Sequence, residues 1–472
     1  MKIEIVSREQ ERIIRLAKKH NQEGLRLILL GKKNESISCF KKSIELNTNL
    51  SEPYFHLGNI YIQTGHFSIA EDMYCKAISL EPNNSDYYYN IAIIKSNQNK
   101  IYEAIENYKK CLDLNPSHLK ALKFLSNCYK DVKKFKEALF TNNFLAKSDP
   151  SNPEPLFNNS LIHIRNGRFD VGWKMYEEGL KENIREPLKG YYEEKNELWD
   201  GKPFDGTLIV YGEQGLGDQI LYGTVLTELI KIQKKIILIV DKRLINLFRE
   251  SYPSVIVISE EKQIKIDIDS KHILIGSLCK YFRKHISDFM DSEFKHYEFN
   301  QNFPYRFRKQ LLNLRSLKIG ISWKTFANKN REIRSLSAIQ VSKILSCNNN
   351  SFINLQYGDV KKEVKKINEL SNNKLNTING LDLTKDLDNV INVIKRCDLI
   401  ITIDNTIAHL AGSLGKQVWV LLPYSADFRW MENTSASLWY QNALLFRQSK
   451  NCNWKIIITL ISEILSQDKV KK

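Results

Sequence analysis

Little in this 472-residue chain ties it to a membrane, a bound metal or an oxidising compartment. Its 8 cysteines are scattered, with no Cys-x-x-Cys pair and no Cys/His cluster at zinc spacing. A chain of this length needs no disulfide staples, so free thiols in a reducing cytoplasm are expected. The opening stretch, MKIEIVSREQERII, has no apolar core of the kind a signal peptide carries. No apolar run approaches the ~20 residues needed to cross a bilayer. Cytoplasmic localisation and no transmembrane segment are therefore expected.

Dense runs of one charge are also missing. Lys and Arg number 70 against 54 Asp and Glu, a formal net charge of +16. The lysines are interleaved with asparagines throughout, and no basic run is dense enough to argue for nucleic acid. No nucleic-acid partner is expected. The surplus is compatible with an anionic substrate or with peripheral contact to an anionic membrane surface. A hydrophobic content of 42% and a charged content of 26% are ordinary for a folded protein, and the length suggests two or three domains.

What is present first is a repeat. Gly31, Gly65, Asn99, Lys133 and Gly167 recur every 34 residues. Phe40, Tyr74, Tyr108 and Tyr176 keep the same interval, broken only by Asn142; so do Ala70, Ala104 and Ala138, flanked by Ser36 and Gly172. Pro82, Pro116 and Pro150 form a fourth set. Small residues such as Gly58 and Ala70 let two helices approach, large ones fill the space beside them, and the proline ends each unit. Period and signature residues resemble the tetratricopeptide repeat, in about five copies up to residue 182. Such helix pairs stack into a solenoid whose concave face commonly takes a protein or peptide partner, although the repeats could equally support or dimerise the rest.

Beyond a charged and aromatic tether, Lys181 to Asp205, short β-branched runs alternate with helical stretches. Strands are expected at Leu208–Tyr211, Ile236–Val240, Val255–Ile258 and Ile273–Ile275, then at Ile319–Ser322, Phe352–Leu355, Leu399–Ile403 and Val418–Leu422. The expected fold class is α + α/β: a helical solenoid over 1–182, then two Rossmann-like lobes over 183–310 and 311–472. The last helical stretch, Trp454–Leu465, is expected to cross back onto the first lobe. Ligands of open parallel sheets bind at the carboxyl ends of the strands. That rule selects the loops Glu213–Asp218, Trp323–Arg331, Gln356–Asp359, Asp404–His409 and Pro423–Trp430.

The loop after the first long strand reads GEQGLGDQILYG, from Gly212 to Gly223. As a dinucleotide fingerprint it fails, with Ile220 where the third glycine belongs and Asp218 facing a would-be pyrophosphate; only Asp241 fits, as a ribose-binding acid. Asp404-Asn405-Thr406-Ile-Ala-His409 follows a buried strand and opens a helix whose free N–H groups suit a diphosphate. Asn405 read alone is a helix cap, and His409 read alone is as readily a core histidine as a ligand; the two together at a strand's carboxyl end point to a site. Lys324, just past Gly-Ile-Ser-Trp323, could neutralise a leaving diphosphate. Asp-x-Asp spacing occurs in this half only at Asp267–Asp269 and Asp386–Asp388, away from that loop, so no metal and no cofactor are expected.

Together, GEQGLGDQILYG, GISWK, INLQYGD, DLIITIDNTIAHLAGSLGKQVWVLLPYSADFRW and LWYQNALLFRQ resemble bacterial tetratricopeptide–glycosyltransferase proteins. Their second half is similar to the ADP-heptose:lipopolysaccharide heptosyltransferase family, of two-lobed GT-B fold, and the layout resembles the O-linked GlcNAc transferases. The resemblance implies an inverting, metal-independent hexosyl- or heptosyltransferase that takes a nucleotide-sugar donor as substrate and a protein, peptide or glycan acceptor. It implies Asp218 as the catalytic base, the family's lysine at Lys324, and a phosphate loop at Asp404, Asn405, Thr406 and His409. Gln214, Gly215, Gly217, Tyr357 and Gly358, in the neighbouring strand-end loops, complete the expected substrate-binding set. Asn405-Thr406 stands where that family has Thr-Gly, which leaves the sugar open. Asp218 as a plain N-cap is the alternative at that position, and a tetratricopeptide scaffold with an inactive transferase-like domain is the alternative for the whole chain.

Overall fold

The computed structural model describes residues 2–188, 197–213, 215–262, 269–294, 296–314, 316–326, 331–346, 350–450 and 453–467. The chain divides into two compact units, Met1–Pro155 and Leu156–Lys472.

The chain begins as a tetratricopeptide solenoid of paired helices. Lys2–Leu29 pairs with Lys33–Leu46, Ser51–Gln63 with Phe67–Leu80, Ser85–Asn97 with Ile101–Leu114, and Leu119–Asp131 with Phe135–Ser148. Glu154–Arg165 and Phe169–Tyr176 follow, making ten helices among the described residues up to that point. The 34-residue set marks the reversals: Gly31, Gly65, Asn99, Lys133 and Gly167 all take φ between 59° and 77°. Each ends a helix in the left-handed conformation that glycine adopts without steric cost. At Gly65 the closing bonds are Gly65 N to Ile62 O (3.0 Å) and His66 N to Tyr61 O (2.9 Å). A Cβ on Gly58 would stand 2.8 Å from the Tyr74 ring, so the small residue sets how closely that pair packs. Where Asn142 interrupts the aromatic set, its Oδ1 accepts a 2.6 Å bond from Ser126, and a polar pair replaces the ring-on-glycine contact.

The fifth helix pair departs from the expected boundary at residue 182. Phe169, Trp173 and Tyr176 are buried in one core with Leu208, Tyr222 and Phe428 of the α/β region. Arg165 Nε donates to Glu432 Oε1 at 2.5 Å, and both side chains are almost wholly buried. The division near residue 155 agrees with these contacts, because three large aromatics of the last repeat share the core of the second unit.

The second unit holds two parallel sheets. In the first, β1 (Glu197–Leu198), β2 (Leu208–Tyr211), β3 (Ile236–Val240), β4 (Ile256–Ser259) and β5 (Lys271–Leu274) stand in the order β1-β5-β2-β3-β4. In the second, β6 (Lys318–Ser322), β7 (Ser351–Asn354), β8 (Leu375–Asn376), β9 (Leu399–Ile403), β10 (Val418–Leu422) and β11 (Ala443–Arg447) stand in the order β11-β10-β9-β6-β7-β8. All pairings between these strands are parallel. Central strands β2, β9 and β10 are buried along their whole length, as sheets covered on both faces require. Read from β8 to β11, the second sheet has the doubly wound order 3-2-1-4-5-6. Its direction of winding switches between β6 and β9; in the first sheet the switch falls between β2 and β5.

The C-terminal helix, Lys455–Ser466, stays on the second lobe and does not brace the first. Ile457, Ile458, Ile461 and Leu465 pack with Ile319, Val341 and Trp419, one face of the helix being apolar and matched to the open side of that sheet.

Candidate functional site

The loops at both switch points converge within the second unit. After β2, Glu213 is held by Arg185 (2.5 Å) and by the N–H of Gly276 (3.0 Å). Gln219 ties its own turn together, donating to Glu213 O and accepting from Asp241 N at 2.9 Å. Gln214 lies outside the described residues. Gly215 is the N-cap of the helix Leu216–Gly223, so Asp218 stands in the first turn and is not the N-cap. A Cβ on Gly215 would come 2.6 Å from Asp218 Oδ2, and one on Gly217 would come 2.8 Å from the His409 ring. The two glycines thus make room for a carboxylate and for the opposite lobe.

Asp218 does not stand alone. Its Oδ1 is 2.5 Å from Arg429, whose other terminal nitrogen is 2.6 Å from Asp427. A helix N-terminus favours an ionised carboxylate. Burial outweighs this and pushes the Asp218 pKa up; Arg429 opposes the rise, while Glu213 and Asp427 add to it. Asp241, the candidate ribose acid, instead caps the turn after β3 and pairs with Arg243 at 2.7 Å.

In the second lobe, Asn405 caps the helix Thr406–Ser413 through Ile407 N (3.0 Å) and donates to Ser322 Oγ across the switch point (2.8 Å). The cap is therefore real, and both ends of its amide are engaged. Thr406, half-buried at the first helical position, has a hydroxyl with no hydrogen bond among the described residues. Asp404 is buried and paired with Arg334 at 3.1 Å, yet burial still raises its pKa to about 6. Gln356 staples the crevice: its Oε1 accepts from Trp323 N (2.8 Å) and Lys324 N (2.7 Å), and its Nε2 donates to Lys324 O (3.1 Å) and Tyr357 O (3.0 Å). Lys324 Nζ is already paired with Glu363. Tyr357 stands beside Phe326, and Gly358, at φ 84°, leaves space that the Phe326 ring occupies.

His409 sits at the contact between the lobes. Gly217 covers it, its Nδ1 is 3.1 Å from the Tyr440 hydroxyl, and its ring stacks on Trp430. Burial lowers its pKa to about 3, so the ring is neutral and can offer at most one N–H to a ligand.

The structure thus brings Asp218, Gly215, Gly217 and His409 together, and gathers Lys324, Tyr357, Asp404, Asn405 and Thr406 around the β6/β9 crevice. Sequence reasoning missed Arg429, Asp427 and Arg334. The first two lie in a loop that strand order had already selected, but nothing in a string of letters tells which cation will meet which carboxylate. Of the Asp-x-Asp pairs, Asp267 lies outside the described residues, while Asp386 caps a helix and Asp388 accepts from Asn246. Among the described residues no cluster of His, Cys, Asp and Glu could hold a metal ion, and no helix is long and apolar enough to cross a membrane.

Tetratricopeptide repeat models match residues 51–84 and 85–118. Protein FlbA of Caulobacter vibrioides is 26% identical over 342 residues, which cover 68% of this chain and 56% of FlbA. The chain therefore spans little more than half the length of that relative. Among solved structures, YrrB, described as a TPR protein with an unusual peptide-binding site, is similar over 34% of this chain and 83% of its own, at 17% identity and a TM-score of 0.32. MamA is similar over 34% of this chain and 94% of its own, at 19% identity and a TM-score of 0.33. The repeats support a protein-binding scaffold role for the solenoid.

Proposed function

We propose that the second unit is a two-lobed glycosyltransferase of GT-B type, moving a sugar from a nucleotide-sugar donor to an acceptor hydroxyl. One observation carries this reading: a carboxylate from the first lobe, Asp218, reaches the second lobe beside the helix that opens at Thr406. The donor diphosphate would lie over that N-terminus, with the free Thr406 hydroxyl and the His409 N–H as donors. Asp218 would take the acceptor hydroxyl's proton while that oxygen bonds to the anomeric carbon and the bond to the diphosphate oxygen breaks. Attack from the side opposite the leaving group inverts the configuration. Arg334 and the helix N-terminus supply positive field near the phosphates, so the reaction needs no metal. Lys324 can contribute only by releasing Glu363.

The solenoid, in this reading, presents the acceptor or a further protein partner in the cytoplasm. A second reading is a scaffold whose transferase-like unit is inactive. The pairing of Lys324 with Glu363 favours it, since that cation is already engaged. Release of nucleoside diphosphate from a panel of nucleotide sugars, with EDTA present, separates the two. Release in EDTA supports the first reading; release only with magnesium or manganese overturns the metal-independent mechanism, and none with any donor favours the scaffold.

A further inference from the structure

We propose that Arg429 is the positioning residue for Asp218, holding that carboxylate ionised and turned so that Oδ2 meets the acceptor hydroxyl. The inference rests on Asp218 being the base. Arg429 is anchored at its own end: Asp427 Oδ1 accepts from its side chain at 2.6 Å and from its backbone N–H at 3.1 Å, and its guanidinium lies 4.4 Å from the centre of the Phe428 ring. From that fixed base its other nitrogen crosses to Asp218 Oδ1 at 2.5 Å. A planar guanidinium can hold two carboxylates at a set angle, which a lysine ammonium cannot.

The two oxygens of Asp218 are consequently unlike. Oδ1 is taken by Arg429. Oδ2 lies over Gly215, where a methyl group would come within 2.6 Å, and it accepts no hydrogen bond among the described residues. A base needs an oxygen not already held by a cation, and with Oδ1 on Arg429 that role falls to Oδ2. Of the other titratable groups around Asp218, the carboxylates work against its ionisation and the rest carry no charge. Glu213 and Asp427 are carboxylates; Tyr176, Tyr222 and Tyr440 have phenols pushed up by burial; His409 is neutral. Arg429 is the group that opposes the rise in the Asp218 pKa, so without it burial and the neighbouring carboxylates would push that pKa further up.

The test needs no substrate. In the full chain carrying aspartate labelled at the carboxyl carbon, the Asp218 signal is assigned by its loss in Asp218→Asn and followed by NMR against pH. Arg429→Gln is expected to raise its midpoint by about 1–3 pH units, the range for loss of a touching opposite charge. Arg429→Lys should recover much of that shift. Asp427→Asn, which removes a nearby negative charge and leaves Arg429 to Asp218 alone, should move the midpoint down. Opposite signs are the signature, since a general loosening of the loop would move both variants alike. An unmoved midpoint in Arg429→Gln, or shifts of the same sign in both, overturns the proposal; Asp427→Asn still decides it if Arg429→Gln fails to fold. Calorimetry of the unaltered chain with nucleoside diphosphates is run beside it. Absence of binding there would count against the transferase reading, whatever the Asp218 midpoint shows.

Discussion

Cutting the chain at two places, before Asn152 and before Asn183, tests where the second unit begins. A chain starting at Asn152 keeps the whole helix Glu154–Arg165 together with its cap, Asn152 Oδ1 to Glu154 N at 3.0 Å. A chain starting at Asn183 loses Phe169, Trp173 and Tyr176, each at most 3% exposed, and leaves Glu432 buried without Arg165. Burying a large apolar side chain contributes roughly 1.5–3 kcal/mol, so the three together are worth roughly 5–9 kcal/mol. An uncompensated buried charge adds roughly 3–5 kcal/mol to the loss. The total rivals the roughly 5–15 kcal/mol that holds a domain folded. The longer chain should therefore give a cooperative thermal transition and structured near-ultraviolet dichroism, and the shorter one should give neither. If the shorter chain melts cooperatively within a few degrees of the longer, the last helix pair is not part of this core and the reasoning fails.

Asp218→Asn should lower turnover by about 10²–10⁴-fold, the range for a general base, while nucleoside diphosphate affinity by calorimetry stays nearly unchanged. Thr406→Ala should do the reverse, weakening that affinity by about 1.5–3 kcal/mol, the value of a hydrogen bond to a charged group. Gly217→Ala puts a methyl group 2.8 Å from the His409 ring, so the lobe contact must open and turnover should fall with little change in overall helix content by circular dichroism. Asp404 has a pKa raised from 3.8 to about 6 in the folded chain, which therefore binds more protons than the unfolded chain between those values. Its contribution to stability is accordingly present at low pH and falls away as pH rises through that window, by about 3 kcal/mol in all. Asp404→Asn should flatten that slope in urea titrations at pH 4 and above, and an unchanged difference between the two chains across that window would refute the assignment.

Much of this architecture was legible in the sequence because periodic patterns report local geometry. The 34-residue set located the left-handed residues at Gly31, Gly65, Asn99, Lys133 and Gly167, since helix reversal there needs that backbone conformation whichever partners surround it. The apolar runs located β2, β3, β9 and β10 to the residue, because a strand covered on both faces must be apolar throughout. Strand-end loops likewise selected the neighbourhood of Asp218 and Thr406. Tertiary structure decided the rest. Whether the last repeat belongs with its fellows depends on where Trp173 finds a pocket, and the direction of the C-terminal helix depends on which sheet face lies open. The state of the site depends on contacts between residues well apart in the chain: Arg429 on Asp218, Tyr440 on His409, Arg334 on Asp404. Spacing along a chain carries no record of such meetings, because charge pairing and burial act through distance in space, and only folding sets that distance.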